Sequence, residues 1–194
     1  MAQTLTRVLV TIPTYNEIEN LPIAVQALRS EVPDVVVEMD AEGSHRAKDL
    51  PSLLTELRNY DPVLGSRWVS GGRVENWPMS RKILSRGGNW YTRIMLGIPL
   101  KDATGGFRAF RLEALEKIDL RSVQSQGYCF QVDLAWRTVR AGLRIHEVPI
   151  TFIERTKGES KMSKDIVLEA LWRVTVWGIQ HRFSQLVRPL RSSK

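Results

Sequence analysis

Two short β-branched runs separated by one helix-length stretch limit most strongly what this chain can fold into. Residues 7–11 (RVLVT) stop at Ile12-Pro13, and residues 35–39 (VVVEM) follow Pro33-Asp34. Apolar residues fill both runs without alternation, the pattern of strands buried on both faces. Between them, from Glu17 to about Ser30, Leu21, Ala24, Val25 and Leu28 recur at the spacing of an amphipathic helix. Strand, helix and strand in succession make a βαβ unit.

The same alternation continues along the chain. A helix is expected from Asp49, a good cap residue, to about Asn59, then a strand over residues 62–65. Residues 66–79 contain Gly71-Gly72 and Pro78 and read as a loop. Residues 80–96 read as a helix weakened by Gly87-Gly88. A polar turn over 102–106 leads to a strand at 107–111. Short helices follow at 113–118 and 131–141, the second closed by Gly142. Residues 145–154 read as a strand whose Pro149 places it at an edge or a bulge. A basic loop over 156–163 precedes a last helix, capped by Ser163 or Asp165 and reaching about Phe183. Strands alternating with helices predict an α/β fold, a mostly parallel sheet flanked by helices, with ligands beyond the strand carboxyl ends. Residues 1–194 show no repeat or linker and are expected to form a single domain, with 163–194 as an amphipathic helix and basic tail.

Composition excludes several classes. With 43% hydrophobic and 25% charged residues, the chain is neither disordered nor of low complexity. One cysteine, Cys129 among apolar neighbours, excludes a disulfide framework, and three scattered histidines offer no zinc cluster. The longest charge-free run is 11 residues (122–132), whereas a bilayer span needs roughly 18. The first residues lack the pattern of a signal peptide. The expectation is therefore a cytoplasmic protein without a membrane-spanning helix. The net charge is +7, and residues 155–194 carry nine Lys/Arg against three Asp/Glu. That basic end suits an anionic partner, or simply a solvated tail.

Three features converge at the strand ends. Pro13-Thr14-Tyr15-Asn16-Glu17 follows the first strand directly, where a tyrosine, an amide and a carboxylate could hold a nucleoside, or Asn16 could cap the helix. The second buried strand ends in Glu38-Met39-Asp40-Ala41-Glu42. Carboxylates at Asp40 and Glu42 share one side of an extended chain and suit Mg²⁺ or Mn²⁺ bridging a diphosphate; a polar turn is the plainer alternative. Arg67, Arg81, Arg155, Lys157 and Lys161 lie in or beside loops, where arginine offers bidentate phosphate contacts and lysine a point charge. A metal site with phosphate clamps describes an enzyme that handles a nucleoside diphosphate leaving group.

The chain resembles the family 2 glycosyltransferases of the GT-A fold, and among them the bacterial polyprenol (dolichol) phosphate mannose synthases. The resemblance runs through VLVTIPTYNEIENLP, VVVEMDAEGSH, LGSRWVSGGRVENWPMSRKILSRGGNWYTR, DATGGFRAFR, GYCFQVDLAWR and EVPITFIERTKGESKMS. It implies a GT-A, Rossmann-like sheet and transfer of mannose from GDP-mannose to a polyprenyl phosphate, with inversion and a divalent metal. Pro13, Tyr15 and Glu17 match the nucleotide-binding PxYNE. Asp40, Ala41 and Glu42 match the metal-binding DAD. Arg67, with Arg81 and Ser85, matches residues that bind phosphates near the reacting centre. Arg155 and Lys161 match a loop that closes over the nucleotide diphosphate. Asp133 stands where related transferases keep a carboxylate near the acceptor; a helix N-terminal residue favoured by the dipole is the other reading.

The chain departs from that family pattern twice. The metal motif is D-A-E, and the extra methylene of Glu42 displaces its oxygens by roughly 1 Å, a shift Mg²⁺ tolerates poorly. About two αβ units also separate PxYNE from the metal-binding strand in the family and are absent here, on the order of fifty residues by the size of such units. The sheet should therefore be shortened at one edge, with the first strand paired in parallel to residues 35–39. An impaired or non-catalytic relative that binds a phosphorylated ligand or a partner protein is the alternative function. Nucleic acid is not an expected partner, because the basic residues are interleaved with the glycosyltransferase blocks and aromatic-rich strands are lacking. A lipid acceptor without a membrane span implies peripheral contact with the inner face of the cell membrane, or a membrane-embedded partner protein. The apolar stripe of the last helix, with Trp172 or Trp177 at its rim, is the expected contact.

Overall fold

The computed structural model describes residues 8–11, 35–40, 44–120, 123, 128–154 and 164–191. Strand β1 (Val8–Thr11) pairs in parallel with β2 (Val35–Glu38), Val8 opposite Val35 and Thr11 opposite Glu38. Two more strands, β3 (Pro62–Ser66) and β6 (His146–Pro149), pair in parallel with each other. Between β2 and β3 lies β5 (Arg108–Arg111), antiparallel to both. The order is β1-β2-β5-β3-β6, so four strands run one way and β5 runs against them. The direct β1–β2 pairing is the one expected for a sheet shortened at that edge.

The alternation of a strand builds two cores from β3. Val63 faces a layer with Val35, Val37, Leu53, Leu57 and Phe107. Its neighbour Leu64 faces the other way, onto Leu96, Ile98, Val132, Trp136 and Val174. The first layer is covered by α1 (Leu50–Glu56). The second is covered by α2 (Met79–Leu96), α4 (Tyr128–Arg140) and α5 (Lys164–Arg191). Burying each such side chain contributes about 1.5–3 kcal/mol.

Helix α2 is continuous through Gly87-Gly88 and closes at Gly97, whose φ of 68° admits the left-handed cap. A close approach fixes α5 against it: a Cβ on Gly178 would lie 2.6 Å from the Met95 carbonyl oxygen. Tyr91 Oη and Thr175 Oγ1 share a 2.6 Å hydrogen bond in the same contact. A short helix α3 (Leu112–Lys117) follows β5.

Three local expectations are corrected. The loop over 66–79 contains a strand, β4 (Arg73–Glu75), which pairs with β7 (Thr151–Ile153) in a second, two-stranded parallel sheet. The strand expected over 145–154 is therefore two strands, divided after Pro149, where the chain leaves one sheet for the other. Asp49 precedes α1 without capping it. Its carboxylate accepts hydrogen bonds from Arg46 (3.0 and 3.1 Å) and from the Thr151 N–H (3.1 Å). The helix expected over 17–30 and the loop over 156–163 lie outside the described residues.

Candidate active site

The sheet brings three segments together at one edge: the chain leaving β2, the chain leaving β3, and the turn entering β5. Asp40 stands just past β2 with 43% of its side chain exposed. Two residues back, Glu38 is buried, accepts a hydrogen bond from Gln131 Nε2 and sits opposite Arg108 in the ladder. Burial pushes the Glu38 carboxyl up, against the opposing charge of Arg108. Arg108 is wholly buried, is pushed down to about 10 by that burial, and donates to the Gly105 and Ala103 carbonyls at 2.8 and 2.7 Å. Gly106 lies beside Asp40: a Cβ there would be 3.5 Å from Asp40 Oδ1 and 3.7 Å from Gln131 Nε2. His45 packs behind Asp40, and burial pushes its imidazole below the ordinary value, against the pull of Asp40.

Past β3, Arg67 is buried and locked to Asp102. Its N–H, Nε and Nη2 reach the Asp102 carboxylate at 2.9, 2.7 and 2.6 Å, and Nη2 also donates to Thr104 Oγ1 at 3.0 Å. Complete burial alone would raise the Asp102 carboxyl, but the charge and hydrogen bonds of Arg67 outweigh it and hold it below the usual range. The Arg67 guanidinium lies 5.4 Å from the Trp77 ring and 5.6 Å from the Phe152 ring. Arg81 lies 4.1 Å from the same Trp77 ring and is ion-paired with Glu154. The indole thus keeps the two guanidinium groups close, a favourable cation–π arrangement. Among the described residues Arg81 Nε and Trp77 Nε1 are buried donors without a hydrogen-bond partner, while the far end of the Arg81 guanidinium is held by Glu154.

From that corner a groove of about 640 Å³ runs between α2 and α5. Its walls are apolar, with Leu84, Trp90, Val132, Leu171 and Val174 among them, and Arg67, Ser85 and Thr104 supply polar groups. Gly87 and Gly88 also line it, and a Cβ on either would meet nothing within 4 Å.

The expected site residues divide accordingly. Asp40 stands at the strand end, Arg67 and Ser85 line the groove, and Arg81 packs on its lining residue Trp77 without lining it. Asp133 is buried, is the sixth residue of α4, and accepts a 2.7 Å hydrogen bond from Arg137 one turn on. It therefore holds no N-terminal position on the helix, and it does not line the groove. Pro13, Tyr15, Glu17, Ala41, Glu42, Arg155 and Lys161 lie outside the described residues. Sequence reasoning missed Asp102, His45, Gln131, Trp77 and Asn89, whose amide donates to Thr104 Oγ1 at 3.1 Å. Asp102 alone carried a signal, a carboxylate opening the glycine-rich turn before β5.

No family model matches the chain. An undecaprenyl-phosphate mannosyltransferase of Micrococcus luteus is 43% identical over 236 aligned positions, covering 93% of this chain and 97% of the relative. The chain belongs to the polyprenyl-phosphate mannosyltransferases. Those 236 positions exceed the 194 residues of this transferase, so at least 42 of them have no counterpart in it. A polyprenol monophosphomannose synthase of Mycolicibacterium smegmatis is 50% identical over 152 residues, 78% of the transferase but 57% of that relative. Two crystal structures of glucosyl-3-phosphoglycerate synthase from Mycobacterium tuberculosis share the fold at a TM-score of 0.52. One, in complex with phosphoglyceric acid, is 18% identical and matches 80% of the transferase and 52% of its own chain; the other is 16% identical, matching 90% and 68%. The transferase thus has the GT-A fold. Among its described residues no helix is long and apolar enough to cross a membrane.

Proposed function

We propose that the chain transfers mannose from GDP-mannose to a polyprenyl phosphate, with inversion at the anomeric carbon. The observation that carries this reading is the groove between α2 and α5: apolar walls suited to an isoprenoid chain, next to Arg67, Ser85 and the corner where Arg81 packs on Trp77, suited to its phosphate. Family membership supports the sugar and the acceptor class.

A phosphate monoester is largely ionised at neutral pH, its second pKa being about 6. Its oxygen attacks the anomeric carbon while the bond to GDP breaks, so the nucleophile needs placement more than a strong base. Arg81 and Ser85 hold the acceptor phosphate. Arg67, fixed by Asp102, supplies positive potential without moving. Arg155 and Lys161 close over the diphosphate, and Pro13, Tyr15 and Glu17 hold the nucleoside. The apolar walls keep water from the glycosyl centre. Asp133, clamped by Arg137, is the carboxylate proposed to lie near the acceptor.

Asp40 fits a hard divalent cation: it is a half-exposed carboxylate just past the end of a buried strand. Asp40 and Glu42, with Ala41 between them, would hold Mg²⁺ or Mn²⁺, which when bound would neutralise the leaving diphosphate. The single domain 1–194 would meet the membrane peripherally, from its inner face, through α2, α5 and the basic end at 163–194. Trp90, Leu168, Trp172, Ile179 and Phe183 expose large apolar surface on those two helices, which supports that contact.

The test is incubation of the purified chain with radiolabelled GDP-mannose, Mn²⁺ and a polyprenyl phosphate. Labelled polyprenyl phosphate mannose in the organic phase is expected. Binding of both substrates with no product and no GDP release would overturn the reading in favour of a non-catalytic relative.

A further inference from the structure

We propose that His45 is a positioning residue that aims the Asp40 carboxylate, through an imidazole whose Nδ1 accepts the Asp40 amide proton. The proposal rests on the reading of Asp40 as a cation ligand. Asp40 lies beyond the last rung of β2, where the sheet no longer supplies an acceptor for its N–H. His45 Nδ1 supplies one at 3.0 Å. A backbone group at a buried strand end needs such a partner.

The imidazole is itself held firmly. It is 4% exposed, stacks on Phe107 (centroids 5.0 Å apart, planes at 19°) and meets the edge of Phe152 at 5.3 Å. Its main chain is bridged to Phe152. An Nδ1 that accepts a hydrogen bond leaves the ring proton on Nε2. Nε2 lies 3.7 Å from Asp40 Oδ2, beyond hydrogen-bond reach, so the grip is on the main chain of Asp40. The weaker electrostatic contact turns Oδ2 toward the ring. Oδ1 is then the oxygen on the Gly106 side, 3.5 Å from where a Cβ would stand there, on a side chain that is 43% exposed. Such supporting contacts commonly set metal affinity by 10- to 100-fold.

His45→Phe keeps a ring between Phe107 and Phe152 but removes the acceptor. His45→Asn places an amide oxygen near the Nδ1 position but empties part of the aromatic cage. Three measurements are made on the full chain: thermal melting, hydrogen exchange of the Asp40 amide without metal, and Mn²⁺ affinity by electron paramagnetic resonance. His45→Phe is expected to melt nearer the wild type than His45→Asn, yet to lose Asp40 amide protection and at least tenfold in Mn²⁺ affinity. His45→Asn is expected to restore most of both despite its lower melting temperature. A merely structural histidine would give Mn²⁺ affinities that follow melting temperature, and that ranking would overturn the proposal. Wild-type Mn²⁺ binding by His45→Phe, with binding lost in Asp40→Asn, would overturn the positioning role alone. Wild-type binding by Asp40→Asn would remove the cation-site reading, and this proposal with it.

Discussion

Asp102 and Arg67 form a buried, doubly bonded pair, with Nε and Nη2 of the arginine 2.7 and 2.6 Å from the two carboxylate oxygens. Asp102 is fully buried and Arg67 nearly so. Removing one partner leaves an uncompensated buried charge, so Asp102→Ala should cost about 3–5 kcal/mol in unfolding free energy. Urea titration of the variant against the wild type measures it. The pH dependence has a definite sign. Because the Asp102 carboxyl is held below its ordinary 3.8 in the folded state, its contribution is complete above that value. It is lost as pH falls through the lowered one. Acid melting curves of wild type and Asp102→Asn should therefore converge below pH 3.8 and separate above it.

Asp40→Asn should abolish metal-dependent nucleotide binding and leave the fold intact, because that side chain is half exposed. Calorimetric titration with GDP-mannose and Mn²⁺, alongside circular dichroism, tests both halves. Unchanged binding would remove the cation site. Glu42→Asp, which restores the shorter carboxylate, should raise activity with Mg²⁺ more than with Mn²⁺.

Gly87 and Gly88 set stability against use of the groove. Neither has anything within 4 Å of a would-be Cβ, so alanine at each should stabilise α2 by about 0.5–1 kcal/mol. Both positions line the groove, and the added methyls narrow it. Gly87→Ala/Gly88→Ala should melt higher and show a raised KM for a long polyprenyl phosphate, with the KM for GDP-mannose unchanged. A doubled variant with unaltered acceptor KM would separate the groove from the acceptor.

Membrane contact should depend on Trp172 and the basic end, not on Trp177. Trp172 is 69% exposed, whereas Trp177 stacks on Trp136 with centroids 5.9 Å apart. Trp172→Ala with Phe183→Ala should reduce co-sedimentation with anionic liposomes at low salt several-fold. Trp177→Ala should chiefly lower the melting temperature. Equal liposome binding by all variants would exclude α5 as the contact.

The sheet was largely legible because β1, β2 and β3 are apolar runs next to proline or glycine, and the β1–β2 pairing followed from the juxtaposition of residues 7–11 and 35–39. Three-residue strands were not: 73–75 is too short for any periodicity, and it exists only because residues 151–153 run alongside. Long-range polar partners were equally hidden. Nothing local announces that Asp102 belongs to Arg67, 35 residues away. Nor does it show that Asp49 serves Thr151, 102 residues on. The arginines were identifiable by type and spacing; what they touch is a product of tertiary packing.

The ion pair between Arg81 and Glu154 has a consequence for turnover. For a phosphate reaching Arg81, the protein already keeps an anion of its own on that guanidinium. On the proposed role of Arg81, the substrate would therefore enter by exchange, displacing a tethered carboxylate that remains close by. Net affinity would be lower than a bare arginine gives, and a departing product would strand no cation, because Glu154 would return to its place. A lipid-linked product that must be handed back to a lipid phase after each cycle is best served by a site that grips through substitution and lets go the same way.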